Sequence, residues 1–312
     1  MAHMLARFAG SLYWLGRYVT RAESLARLID ISKTYAGHDP NGANWRQVLR
    51  IYGDVDRFFE KNETADAASV LYFYLLDRTN PTSAAYAIAA AHENARGARH
   101  LISTEMWTHI NIFRNQYQKL TARDLRIANV SNVCQQIKNG CQSFEGIVEG
   151  TMTRGEAWIF FSLGKQIERA DQTTRVLDIG YLSLASNDDD AVASVHWNTL
   201  IRALGGYQAF RAGNPGSDYR GAVVSFLLSE DRFVRSVYSC FNEINRLIET
   251  IPPSSRGDVA PELLSLNQWI EEMDTTAESV KEAEYLHSKL DEFQMRSIKL
   301  SARIDEVFFA AE

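Results

Sequence analysis

Between positions 8 and 31 apolar residues recur at alternating spacings of four and three: Phe8, Leu12, Leu15, Val19, Ala22, Ala26 and Ile29. That rhythm traces one face of an α-helix. Trp14, Leu25 and Leu28 fill other faces, so the helix is apolar over much of its circumference and should be central. Gly16 lies on the flank, where it lets another backbone approach, although glycine in a helix costs about 1 kcal/mol against alanine.

The stretch Leu12–Ile31 (LYWLGRYVTRAESLARLIDI) recurs 148 positions later as Phe160–Ile179 (FFSLGKQIERADQTTRVLDI). From Leu15 to Ile31, seven of seventeen ungapped positions are identical and five more are conservative. Gly16 returns as Gly164, Arg21 as Arg169, Arg27 as Arg175 and Asp30 as Asp178. Other landmarks repeat too: Trp45 as Trp197, Phe58 as Phe210, Phe73 as Phe226 and Ser83 as Ser236. The pattern predicts an internal duplication, and an all-α bundle with pseudo-twofold symmetry, since neither copy buries its central helix alone. One compact domain is expected over residues 5–312, with repeat halves of about 5–150 and 151–312. Met1-Ala2-His3-Met4 reads as an added leader, with the natural start at Met4.

Further elements follow from the same periodicity. Trp45–Lys61 and Ala65–Leu76 read as helices, Asp77–Pro81 as a turn, and Thr82 or Ser83 as the cap of a helix running past Ala98. Ser103–Tyr117 continues or restarts that helix. Thr121–Gly150 is helical, and Thr151 or Thr153 can cap the second core helix. Gly37–Asn44, Ser186–Asp190, Gly213–Gly221 and Pro252–Pro261 are loops. Two long helices, Pro261–Glu282 and Ala283–Phe309, close the chain.

Composition narrows the function. The 312 residues carry 33 basic and 39 acidic side chains, a net charge of -6, and no basic run, so no nucleic-acid partner is expected. No apolar run reaches the roughly 18 residues needed to span a bilayer, and no signal peptide is visible, so neither a membrane nor export is expected. Three cysteines (Cys134, Cys141, Cys240) make no disulfide framework or C-x-x-C pair, which suits the cytoplasm and core packing.

Candidate chemistry clusters on the repeated helix. Glu23/Arg27 and Asp171/Arg175 are acids four residues before an arginine, the favourable helical orientation. They are either intrahelical salt bridges beside the seam or the lining of a polar cleft. Glu23, Asp30, Asp171 and Asp178 offer four carboxylates, but neither copy has the Glu-x-x-His of di-iron bundles, so no metal or other cofactor is assigned. Arg21 and Arg169 sit among large apolar residues and must reach solvent or an anionic or carbonyl partner. Arg17 lies nearby. His92, Glu93, Arg96 and His100 form a polar stretch, with Glu105 and Trp107 beyond it. No catalytic triad, glycine-rich phosphate loop or Walker motif is present.

Four segments, Leu12–Asp30, Glu93–Trp107, Gly150–Asp178 and Phe226–Val237, together resemble the Alpha-E family, a bacterial all-helical domain with a Glu-Arg motif. The dipeptide stands as Glu168-Arg169, and in the first copy Thr20 occupies the glutamate's place. The resemblance implies work beside an ATP-grasp-type ligase in ATP-dependent amide-bond formation or peptide modification. The chain would then be an accessory subunit whose Arg17, Arg21, Glu23, Arg27, Glu93, Arg96, Glu105, Glu168, Arg169, Asp171 and Arg175 meet an acidic or peptide-like ligand or the ligase. One alternative is an enzyme with Glu168 or Asp171 as acid/base; another is a structural dimerisation scaffold, a homo-oligomer.

Overall fold

The computed structural model describes residues 6–36, 43–184, 190–214, 219–252, 259–273 and 283–309. The described residues are helical throughout, without strands. They fall into two compact units, Met1–Lys165 and Gln166–Glu312, divided inside one long helix.

In the first unit α1 (Ala6–Ala36) is the axis. It packs against α5 (Ala84–Gly97) and α7 (Val130–Thr151), with α2 (Ala43–Ile51) and α4 (Ala67–Leu75) at its sides. Its seam residues Leu12, Leu15, Val19, Ala22, Ala26 and Ile29 are buried, as are Leu25 and Leu28, which answers to an apolar circumference. The helix expected over Trp45–Lys61 is interrupted. Gly53 adopts a φ of 64°, which separates α2 from the short α3 (Val55–Phe59). Helix α4 starts one residue after Asp66, whose carboxylate accepts from the Ser69 N–H. That bond holds the Asp66 pKa below the usual value, so the cap is intact near neutrality and is lost as pH falls through the carboxylate range.

Ser83, not Thr82, caps α5, which stops at Gly97; Ser103 caps a separate α6 (Thr104–Tyr117). A short 3-10 turn (Ala122–Leu125) precedes α7. The next helix, α8 (Glu156–Leu184), begins beyond Thr151 and Thr153, so neither caps it; Thr151 ends α7. Here glycine decides the packing. A Cβ on Gly16 would lie 2.1 Å from the Phe161 carbonyl oxygen, and one on Gly164 would lie 2.0 Å from that of Tyr13. Each helix thus presses its backbone against the other at matching positions.

The second unit contains the rest of α8, then α9 (Asp190–Ala203), α10 (Tyr207–Gly213), α11 (Tyr219–Ser229), α12 (Val237–Thr250), α13 (Ala260–Glu272) and α14 (Ala283–Ile304), which ends in a π-helical turn (Asp305–Phe309). Helix α9 packs on α10 and α11, α11 on α12, α12 on α13, and α13 on α14. Details of the first unit recur. Gly205 has a φ of 76°, matching Gly53, and Ser236 caps α12 as Ser83 caps α5. The edge-on pair Phe58–Phe73 (5.2 Å) has its counterpart in Phe210–Phe226 (5.5 Å). The expected loop Ser186–Asp190 and the proposed leader Met1–Met4 lie wholly or almost wholly outside the described residues, as do parts of the other loops and of the helix expected to reach Glu282.

All three cysteines are buried. Burial, aided by the nearby Asp30 charge, pushes the Cys134 thiol up to about 12, and burial holds the Cys141 thiol well above its ordinary value. Since the thiolate is the nucleophile, the folded chain should resist alkylation at pH 8 and react at all three sites once denatured. Rapid labelling of Cys134 or Cys141 in the native state would contradict this packing.

Candidate functional site

The first unit gathers polar side chains where α7 faces α1. Glu23 is fully buried, and its Oε1 accepts from Arg27 Nε (3.0 Å), Arg27 Nη2 (2.7 Å) and Gln142 Nε2 on α7 (3.1 Å). One turn on, Lys138 Nζ lies 3.0 Å from Asp30 Oδ2, and Lys33 Nζ donates to Ser131 Oγ at 2.8 Å. The four-residue spacing places each acid within reach of its arginine, and helix packing supplies the third donor. A carboxylate held by three donors out of water is structurally committed.

The other arginines of α1 lie against rings. The Arg17 guanidinium sits 5.1 Å from the Trp14 ring centre and 5.7 Å from that of Tyr13, whose hydroxyl accepts from Nη1. Arg21 lies 5.5 Å from the Tyr18 ring centre. Burial raises the Tyr18 pKa, against the opposing influence of Arg21. Thr20, which the sequence offset of 148 sets against Glu168, is buried, and its hydroxyl has no hydrogen-bond partner among the described residues.

The second unit holds the Glu-Arg dipeptide, and it is buried. Gln172 Nε2 donates to Glu168 Oε1 at 3.2 Å, and Arg169 Nη1 reaches the Val234 carbonyl at 3.5 Å. The adjacent Thr173 hydroxyl donates to the Arg235 carbonyl at 2.9 Å, tying α8 to the turn before α12. Asp171 and Arg175 form a two-pronged pair, Nε to Oδ2 at 2.8 Å and Nη2 to Oδ1 at 3.1 Å. Asp178 Oδ1 lies 2.9 Å from His287 Nδ1 on α14. Burial raises the Asp178 pKa, and the hydrogen bond to Asp178 raises that of His287.

The structure therefore brings Glu23 to Arg27, and Glu168 to Asp171 and Arg175 through Gln172, as internal bonds. It leaves Glu93, Arg96 and Glu105 at the surface. Arg96 Nη2 pairs with Glu93 Oε2 at 2.6 Å, both exposed, while His92 turns inward to Asn111 at 2.8 Å and lies tilted against the Trp107 ring. Sequence reading passed over Gln142, Lys138, Gln172 and His287. Their signal was available in part, because α7 and α14 share a repeat offset that aligns Lys138 and Cys134 with Asp291 and His287. None of the eleven candidate residues lines either of two cavities in the first unit. One, of about 170 Å³, lies between Tyr72, Arg78, Arg114 and Tyr117; the other, of about 570 Å³, lies between α6 and α7.

Two curated relatives match over 292 residues at 22% identity: the uncharacterized proteins Mb2597 of Mycobacterium bovis and MT2643 of Mycobacterium tuberculosis. The alignment covers 86% of this chain but 32% of each of theirs, so the chain spans about a third of their length. No solved structure matches. Among the described residues no helix is long and apolar enough to cross a membrane. A family model matches residues 4–309, nearly end to end, and describes a predicted alpha-helical domain with a conserved ER motif; the sequence has a single Glu-Arg dipeptide, the buried Glu168-Arg169. The chain belongs to the Alpha-E family.

Proposed function

We propose that this chain is a non-catalytic helical module of an ATP-dependent system that forms amide bonds or modifies peptides, acting beside an ATP-grasp-type ligase. The observation that carries the reading is the fate of the two carboxylates best placed for acid–base work. Glu168 and Asp171 are buried and bonded to Gln172 and Arg175. A general acid or base must touch its substrate, and these groups would have to leave their partners to do so. The relatives add support, since their matching region is a minor part of a longer chain. The ligase and its chemistry come from the family resemblance. Contact with the partner then falls to exposed groups, of which Glu93, Arg96 and Glu105 are the candidates.

The same reading includes an origin by duplication. Its support is the recurrence of caps, left-handed glycines and aromatic pairs, and the reciprocal backbone contacts of Gly16 and Gly164.

The test is to mix the purified chain with an ATP-grasp-type ligase from the same organism and measure association and turnover. A complex whose formation is slowed by Arg96→Glu or Glu105→Arg, with no turnover by the chain alone, is expected. Turnover of an acidic peptide by the isolated chain, abolished in a folded Glu168→Gln variant, would overturn the proposal.

A further inference from the structure

The two units treat one equivalent acidic position in opposite ways. In the first, Asp30 on α1 is neutralised by Lys138 on α7, 3.0 Å away. In the second, Asp178 on α8 stands where the repeat places Asp30. Helix α14 has 22 residues, like α7, and begins 153 positions after it. At that offset Cys134 becomes His287 and Lys138 becomes Asp291. The contacts agree with this alignment. Cys134 feels the charges of Asp30 and Lys138, and in the second unit His287 and Asp291 both act on Asp178. Where one unit supplies a fixed cation, the other supplies a second carboxylate.

That exchange leaves a buried carboxylate, Asp178, facing an imidazole and another acid. His287 Nδ1 is 2.9 Å from Asp178 Oδ1, and its Nε2 is 3.6 Å from Asp291 Oδ2. One ligand atom from each of the three residues can be chosen so that all lie within 4.8 Å of one another. The neighbouring Arg175 is held by two bonds to Asp171. Two carboxylates and one imidazole suit a first-row divalent cation.

We propose that Asp178, His287 and Asp291 bind a divalent transition-metal ion, Zn2+ or a first-row neighbour, which does in the second unit what Lys138 does in the first. Coordination needs an unprotonated imidazole nitrogen, so binding displaces a proton from the ligating nitrogen of a charged His287 to solvent. His287 and Asp291 are one turn apart on α14 and grip it from one helix face, while Asp178 supplies the fixed ligand from α8. Both α14 ligands are substantially exposed, so they can close the remaining distance, and water completes the shell. The site pins α14 to α8. Sequence reading missed it because the histidine lies 109 residues from its carboxylate, not three along one helix.

The test is calorimetric titration of the full-length chain with ZnCl2 in a non-chelating buffer at neutral pH, repeated on His287→Gln and Asp291→Asn. Both replaced side chains are solvent-accessible, and circular dichroism checks that each variant is folded. One equivalent of Zn2+ should bind the unaltered chain and raise its Tm. Each variant should bind more than about tenfold more weakly and lose the Tm response. An unaltered chain that ignores Zn2+ would mean that protonated His287 alone balances Asp178, and would overturn the proposal. So would binding that survives both substitutions.

Discussion

Gly16→Ala should destabilise the first unit by at least about 3 kcal/mol, the upper range for overpacking, because the added methyl meets backbone and not a yielding side chain. Its carbon would lie 2.1 Å from the Phe161 oxygen and 3.0 Å from the Lys165 nitrogen, both inside α8. Relief requires the two helix backbones to move apart where they cross. Gly164→Ala meets the Tyr13 oxygen at 2.0 Å and should cost a similar amount. A control separates this clash from helix propensity. Gly146 lies in α7 with nothing within 4 Å of a built Cβ, so Gly146→Ala should stabilise by up to about 1 kcal/mol. Urea melts of the three variants provide the comparison. Wild-type behaviour of Gly16→Ala would mean that α1 and α8 do not cross as described.

The second large effect is expected at Glu23. Glu23→Ala removes the carboxylate that three donors share and takes from the Arg27 side chain, 11% exposed, the acid that balances its charge. Breaking one side of such a pair costs about 3–5 kcal/mol. Replacing both members, Glu23→Leu with Arg27→Met, should recover most of that loss, because the desolvation cost of both charges disappears with them. Denaturation midpoints of the single and double variants measure the difference. If the double variant is as unstable as the single one, Glu23 and Arg27 do not act as a pair and the polar seam must serve another purpose.

The apolar circumference of α1 was legible because it is written as spacings along one helix. The cap at Ser83 was legible for the same reason, since a cap is a local event. The interruption at Gly53 was not, because the run Trp45–Phe58 keeps helical periodicity across a residue whose positive φ ends the helix. The candidate site was half visible. Pairs at four-residue spacing, Glu23/Arg27 and Asp171/Arg175, stand as expected. Whether they lined an opening depended on what packs over them, and Gln142 and Gln172 close around them. The Glu-Arg dipeptide stood in plain view, but its burial against the Val234 turn depends on packing that no local pattern encodes.

Ser83 and Ser236 illustrate how narrow a sequence choice can be. Each hydroxyl accepts an N–H from the first turn of its helix (Tyr86, Ser239) and simultaneously donates its proton to a carbonyl six residues back, Asp77 and Glu230. An aspartate, elsewhere an equal or better helix starter, can only accept here and would turn its charge on that carbonyl. A chain assembled from this scaffold by consensus or by computation should therefore keep an alcohol at both places, however favourably the helix-start statistics rank the acid.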